Sequence, residues 1–466
     1  MLARQVKQFE NAEEQRLLAL AAAYGIEMSP EANHYTHLPI SLLPTPFPAE
    51  QFNKLKDLSE EFNLLMYKVH LDREWLYKVL EDICREDDYI RRLVEISKTA
   101  HEIGNQQKIF LGLNRNDFML DVPTNRFQQV EFNTMSASFG GLSSKLYKLH
   151  RLILSQYKSY FDPEVDPQKV LETHSMNRLA EGLATASNLY GNNVSVIFLV
   201  LPFEMNYFDQ TCLEIELWET YSIPVIRATL SDVATHGHKR EDGALIYKDK
   251  EISVVYFRAG YSPDHYPTES EWQARELIDT SKAVKCPNID YHLAGSKKIQ
   301  QELGKPEVLY KYVDPQIGVK LADHFTDLWG FDSPLSQELL AAIRSNPQDY
   351  VVKPQREGGG NNFYGEGVVK ILENYENDQN IQEHMKQYIL MKRINPEPKE
   401  NLLSRKGVVN RVQTLSELGM FGVLVANGEE IVTNVYGGYL LRTKSKDANE
   451  GGVAAGYGVL DSIYLD

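Results

Sequence analysis

Apolar residues near the start of the chain recur at helical spacing. Leu17, Leu18, Ala21 and Ala22 share one face, and Tyr24-Gly25 closes the pattern. Ser29–Pro48 then carries Pro30, Pro39, Pro44, Pro46 and Pro48, which predicts an extended connector. Helical spacing returns over Glu50–Tyr67, Asp72–Cys84 and Asp87–Glu102. From Lys108 the pattern changes to short apolar runs, and Ile109–Leu113 and Phe127–Phe132 read as strands. Ser143–Tyr157 reads as a helix, with Leu146, Leu149, Leu152 and Ile153 on one face. Strands are then predicted at Val194–Leu201, Pro224–Thr229 and Ile252–Phe257, and helices at Phe208–Tyr221 and Glu269–Val284. This alternation predicts a small α/β unit with a largely parallel sheet over residues 194–293. A mixed α/β region follows to the C-terminus. Within it, Val408–Val425 is largely apolar, and the polar stretch Pro396–Arg411 reads as a cover over a site.

Composition narrows the picture. The 466 residues are 42% hydrophobic and 10% aromatic, enough for two or three lobes with sizeable cores. The net charge of −16 repels nucleic acid and anionic membranes. A phosphate ligand must therefore be held by local cations. Cys84, Cys212 and Cys286 lie far apart without a C-x-x-C pair, which predicts reduced thiols in a cytoplasmic protein. The apolar runs Leu17–Ile26 and Ser195–Phe203 are too short to span a bilayer, and the N-terminus lacks the apolar core of a secretory signal.

The candidate chemistry begins at Val351-Val352-Lys353-Pro354, followed by Gln355-Arg356-Glu357-Gly358-Gly359-Gly360-Asn361-Asn362. Bare glycine backbone offers N–H groups that close around an anion. Lys353 supplies a point charge, and Glu357 can hold a metal that the same anion shares. Three glycines also suit a surface turn, but the flanking lysine, carboxylate and amides favour a nucleotide triphosphate with magnesium. In Glu131-Phe132-Asn133 the strand period of two sends a carboxylate and an amide oxygen to one face, which suits magnesium, although the triplet alone equally describes a solvated strand face. Ser136-Ala137-Ser138-Phe139-Gly140-Gly141 precedes a predicted helix. Its N-terminus suits either a substrate carboxylate or an N-cap from Ser138 or Ser143. Lys297, after a strand-like stretch, and Lys444 are further candidate phosphate cations. Glu417 is the acidic residue of a largely apolar stretch and suits a ribose, a metal or simply a partly exposed strand position. No P-loop, dinucleotide fingerprint, H-E-x-x-H or G-x-S-x-G occurs, and no covalent nucleophile stands with a base. Chemistry run by positioning and electrostatics needs none.

Several long segments in one order carry a resemblance: Leu111–Leu120, Glu131–Leu142, Val254–Tyr261, Ala294–Leu303, Lys353–Tyr364 and Leu440–Gly456. Along nearly its whole length the chain resembles the eukaryotic-type glutathione synthetases, which are ATP-grasp ligases. The resemblance implies an α/β protein with the ATP-grasp fold. An N-terminal helical part would cover residues 1–107. The catalytic region would cover 108–193 and 294–466, with a lid at roughly 330–412. A small parallel α/β substrate domain would be inserted at 194–293.

The implied activity is ATP-dependent ligation of γ-glutamylcysteine to glycine through an acyl phosphate. By motif match Glu131, Asn133 and Glu357 would hold Mg2+. Lys297, Lys353, Gly358, Gly359, Gly360, Asn361, Asn362, Tyr364, Met391 to Ile394, Glu417 and Lys444 would surround ATP. Arg115, Ser136, Ser138, Glu204, Asn206, Gln210, Arg258, Tyr261, Arg442, Val453 and Ala454 would bind peptide, with Arg115, Lys353 and Arg442 as the catalytic residues. Lys392 stands where relatives carry an acid, which puts any side-chain contact of that acid in doubt. Gly452-Val453-Ala454-Ala455-Gly456 keeps the small-residue form that implies glycine as acceptor. A homodimer through the helical part is also implied, as is ordering of loops 358–366 and 437–456 around ligands. Two other readings stay open: a carboxylate–amine ligase with another acceptor, and a silent nucleotide-binding scaffold.

Overall fold

The computed structural model describes residues 11–104, 107–355, 362–448, 451–453 and 456–466. The helices of the N-terminal part start where carboxylates can cap them. Asp72 accepts from the Trp75 amide ahead of Arg73–Glu86, and Asp87 accepts from the Tyr89 and Ile90 amides ahead of Asp88–Glu102. The helix expected over Glu50–Tyr67 is two, Ala49–Lys56 and Ser59–Leu71. Phe52 and Leu55 of the first and Phe62, Leu65 and Met66 of the second all enter one core, so the break lets both bury their apolar faces.

A seven-stranded sheet runs through the centre in the order Lys399–Arg405, Ile40–Ser41, Gly458–Asp461, Glu430–Ser445, Val408–Asn427, Ile109–Asp121, Arg126–Asn133. Both faces are covered. Along Val408–Asn427, Phe421, Val423 and Val425 point into one core, and Met420, Leu424 and Ala426 into the other. Burial on both sides explains why the run from Leu418 to Ala426 is continuously apolar. The expected cover at Pro396–Arg411 is instead part of this sheet. Lys399–Arg405 pairs with the start of Val408–Asn427 across Lys406-Gly407, both at positive φ (51° and 75°). That two-residue turn makes a tight hairpin.

A second sheet places Val225–Ala228, Ser195–Leu199, Lys250–Phe257 and Val284–Cys286 parallel, with Leu245–Tyr247 and Gly237–Lys239 added antiparallel. The helix expected over Glu269–Val284 ends at Asp279, because Val284–Cys286 pairs with Val254–Tyr256 as a fourth parallel strand. A third, antiparallel sheet joins Leu328–Gly330, Tyr388–Lys392, Tyr350–Pro354 and Phe363–Tyr364. With the helices Gln337–Ser345, Glu366–Asn377 and Gln379–Met385 it encloses its own core, including Phe331, Ile343, Val352, Leu372 and Leu390. Among the described residues no helix is long and apolar enough to cross a membrane.

Asp461 lies buried under the central sheet. It accepts from the Thr45 and Thr443 hydroxyls at 2.7 Å each and from the Ser462 amide at 2.7 Å. Burial nonetheless pushes its carboxyl up to about 6. An unfolded aspartate titrates near ~3.9. Between those values the folded chain keeps a proton that the unfolded chain has lost. The stability this group contributes is thus full below about pH 4 and lost as pH rises through about 6, by up to about 3 kcal/mol. Asp461→Asn should remove that slope. Urea midpoints of variant and wild type, compared at about pH 4.5 and about pH 7, should move in the variant's favour at the higher pH. Parallel shifts would mean that Asp461 does not titrate in this window.

Candidate active site

Four neighbouring strands of the central sheet set the charged residues side by side. Arg115 pairs with Asn133 and Asp117 with Glu131 across one interface, and Glu417 pairs with Arg442 across another. Gly419 pairs with Asp117 between them. The period of two puts Arg115 with Asp117, Glu131 with Asn133, and Arg442 with Lys444 on one face. A bulge adds Val130 to the edge strand, since Asp117 faces Glu131 while Phe118 faces Gln129. Val130 and Glu131 therefore both reach the cleft, whereas Phe132 enters the core.

This face forms the floor of a cavity of about 500 Å3. Val351, Lys353, Asn362, Tyr364, Met391, Arg393 and Ile394, from or beside the third sheet, close it from one side. The loops at 134–139 and 201–206, with Arg258 and Tyr261, close it from another. Seven basic side chains line it against the acidic Glu131, Glu204 and Glu417, so a chain of net charge −16 holds a locally positive cleft.

Most of the residues singled out in the sequence meet here. Arg115, Glu131, Asn133, Ser136, Ser138, Glu204, Asn206, Arg258, Tyr261, Lys297, Lys353, Asn362, Tyr364, Met391, Ile394, Glu417, Arg442, Lys444 and Val453 all line the cavity. Gln210 does not; it is buried and accepts from Arg227 Nη2 at 2.7 Å. Glu357, Gly358, Gly359, Gly360, Asn361 and Ala454 lie outside the described residues. Lys297 does not follow a strand. It opens the helix Lys297–Leu303 directly after the helix Ile289–Ala294, whose Asn288 caps the Tyr291 amide. Its Nζ lies 3.5 Å from Glu131 Oε2. Lys392 is exposed, with Nζ 3.6 Å from Asp327.

The helix after the serine loop begins at Gly140, and neither Ser138 nor Ser143 caps it. Asp209 does: its carboxylate accepts from the amides of Phe139, Gly141 and Leu142 at 2.7, 2.8 and 3.2 Å. A side-chain anion already fills this helix N-terminus, so a substrate carboxylate has no place there. The serines hold the loop instead. Ser136 donates to the Phe257 carbonyl, Ser138 to the Ser136 carbonyl, and Arg258 Nη2 donates to Ser138 Oγ at 2.7 Å. Ser136 and Phe139 both adopt left-handed backbone (φ 53° and 71°), a strained arrangement that these contacts maintain.

Nothing in the sequence assigns Asp117 a role, yet it lies directly beneath the floor and joins the residues that form it. It is completely buried and takes both Nε and Nη2 of Arg115, at 2.6 and 2.7 Å. Arg442 Nη2 donates to it at 2.8 Å and also to Glu417. Burial pushes the Asp117 carboxyl upward, against the pull of both guanidiniums. Burial likewise opposes the charge on Glu131, but Lys297, Lys353, Arg442 and Arg115 outweigh it and hold this carboxylate well below its usual range. Burial works against the Arg442 and Arg258 cations, and their acidic neighbours raise both above the ordinary value. Arg258 Nε is buried without a hydrogen-bond partner among the described residues.

Gly419 makes room for the Arg115–Asp117 pair. A Cβ there would stand 2.7 Å from Arg115 Cδ and 2.8 Å from Asp117 Oδ1. Gly419→Ala should cost about 1–3 kcal/mol of stability and lower kcat/KM by about ten- to a hundredfold through a displaced guanidinium. Unchanged steady-state kinetics would show that the pair tolerates displacement.

The donor chemistry fits a hard cation. Asn133 gives its Nδ2 to Asp117 at 2.9 Å and, at 3.4 Å each, to Glu131 Oε1 and the Arg115 carbonyl, which leaves Oδ1 as the end of the amide available to a cation. Among the described residues no three His, Cys, Asp or Glu side chains form a metal-binding group. An amide oxygen and a carboxylate are what magnesium takes alongside phosphate oxygens and water.

The family model for the eukaryotic glutathione synthase ATP-binding domain matches residues 3–465. The chain belongs to the eukaryotic glutathione synthetase family. A chloroplastic glutathione synthetase of Solanum lycopersicum is 42% identical over 92% of this chain and 78% of its own length. The glutathione synthetase of Bos taurus is 39% identical over 96% and 94%, and that of Homo sapiens 39% over 92% and 90%. A glutathione synthetase-like effector from Globodera pallida, solved in its apo form, superposes with a TM-score of 0.77 over 99% of this chain and 98% of that one. At 20% identity this likeness concerns the fold, which the glutathione synthetase family model and the three sheets share.

Proposed function

We propose that this chain joins γ-glutamylcysteine to glycine at the expense of ATP, through an acyl phosphate, giving glutathione. One observation carries the reading within the family: Glu131, Asn133, Lys297 and Lys353 converge in the same cleft as Arg115 and Arg442. The first group suits a metal-bound triphosphate, and the second suits carboxylates and the charge that acyl transfer develops.

The residues divide the work by chemistry. The dipeptide carries two carboxylates and one ammonium. Arg258 and Arg442 take the carboxylates as guanidinium forks, and Glu204 takes the ammonium. Arg115 stands where it stabilises the oxyanion formed as the amine attacks. Lys297, Lys353 and Lys444 neutralise phosphate oxygens, and Tyr364, Met391 and Ile394 wall the nucleotide. Glu131 and Asn133 with Glu357 would hold magnesium, which would supply charge neutralisation at the phosphates. The cavity encloses the reacting carboxylate and so protects an acyl phosphate from water. Gly452 and Val453 narrow one wall, which suits glycine as the acceptor. The same reading includes a cytoplasmic location, in keeping with the unpaired Cys84, Cys212 and Cys286. It also includes a homodimer through the helical part, where Leu71 and Ile103 are exposed.

A coupled phosphate-release assay tests it with γ-glutamylcysteine, ATP and magnesium across glycine, β-alanine and spermidine. Turnover is expected with glycine. Strong turnover with β-alanine or spermidine and none with glycine would replace the acceptor, and no turnover with any amine would end the ligase reading.

A further inference from the structure

Asp117 is absent from the cavity wall but touches three residues that form it. Its carboxylate has no solvent exposure. Oδ1 accepts from Arg115 Nε, and Oδ2 accepts from Arg115 Nη2, Arg442 Nη2 and Asn133 Nδ2. We infer that Asp117 is a positioning residue that aims both arginines at the dipeptide and sets which end of the Asn133 amide the metal meets. This rests on the function proposed above.

The argument is one of valence. An amide has two ends of nearly equal shape and opposite polarity. Asp117 is the nearest of three acceptors for Nδ2, at 2.9 Å against 3.4 Å for Glu131 Oε1 and for the Arg115 carbonyl, and with Nδ2 so engaged Oδ1 is the end left for a cation. The reverse orientation would turn an NH2 group toward a cation and leave a buried carboxylate short of a donor. Arg115 commits Nε and Nη2 to Asp117, which orients its fork and leaves Nη1 for a ligand. Arg442 commits Nη2 to Asp117 and Glu417 together. Without the anion between them, two largely buried guanidiniums would repel, and one would swing out of line. The facing position on the next strand is Gly419, whose lack of a side chain admits this arrangement. Groups that orient metal ligands from behind change metal affinity when replaced, by about 10- to 100-fold.

The test compares wild type, Asp117→Asn, Asn133→Ala and the double variant, with two readouts that need no turnover. One is the calorimetric Kd for γ-glutamylcysteine without nucleotide. The other is Mn2+ affinity by electron paramagnetic resonance with a non-hydrolysable ATP analogue. Asp117→Asn should weaken both by about tenfold or more. In the Asn133→Ala background its effect on Mn2+ should vanish while its effect on the dipeptide remains. Wild-type values for Asp117→Asn, or metal effects that add in full, would overturn the inference. If Asp117→Asn does not fold, Asp117→Glu keeps the charge and moves it by one methylene. The same two losses are expected there, and unchanged binding would again overturn the inference. A wild-type chain that binds neither dipeptide nor Mn2+ would instead sink the underlying function.

Discussion

Arg442→Ala is expected to lower kcat by about a hundred- to a thousandfold, the usual loss when one buried transition-state donor is removed. KM for γ-glutamylcysteine should rise as well, because the same guanidinium is proposed to hold a substrate carboxylate. Stability should fall by about 3–5 kcal/mol, since the change strips a shared donor from Asp117 and Glu417 and leaves buried carboxylates under-compensated. Arg442→Lys separates the two effects. A lysine keeps the charge and much of the stability, but it lacks the planar fork that serves two carboxylates at once. Its urea midpoint should lie near wild type while its kcat/KM stays close to that of the alanine variant. Full activity in Arg442→Lys would mean that only a point charge is needed at this position.

Glu131→Gln is expected to cost about a hundredfold or more in turnover with little loss of fold. Its side chain is one-quarter exposed to the cleft, so the amide meets no buried vacancy. The loss arises because a neutral amide is a poorer magnesium ligand than a carboxylate. It also removes the anion between Lys297 and its neighbours. Neighbouring cations hold the Glu131 carboxyl well below its ordinary value, so it stays ionised throughout the mildly acid range. Its contribution is lost only when pH drops far under the usual carboxylate range. Wild-type magnesium dependence should therefore be the same at about pH 5.5 as at about pH 7.5. Half-saturating magnesium in the variant should be raised at both, and a normal requirement would remove Glu131 from the metal site.

Much of the cleft could be read from residue identity. Lysines and an E-x-N triplet draw attention to residues that do share the cleft, and the arginines enter through the family resemblance. Asp117 could not, because a carboxylate two residues from an arginine looks like a surface pair. The same physics shortened the predicted strand at Ile109–Leu113. It continues to Asp121 through Asn114, Arg115, Asn116 and Asp117, all buried. Period reading takes such a polar run as the end of a strand. Its burial depends on partners remote in sequence: Asn63 for Asn114, Gln129 for Asn116, and Arg442 for Asp117. The helix Ser175–Tyr190 was missed for a different reason. Its buried face is built from Ala180, Gly182, Ala184 and Ala186 with Leu179 and Leu183, and small residues carry little periodic signal. The helix cap by Asp209 was hidden because the donor loop and the acceptor lie 68 residues apart.

The antiparallel sheet that carries Lys353 keeps its apolar cluster to itself, from Phe331 to Leu390. Several of its ties to the remainder are polar. Lys298 bonds Asp332, His384 and Lys386 approach Glu86 and Asp82, and Val122 donates to the Asn395 carbonyl. Exchanging those contacts for water would leave both greasy interiors sealed. A junction of this kind answers to salt and hydration rather than to oil.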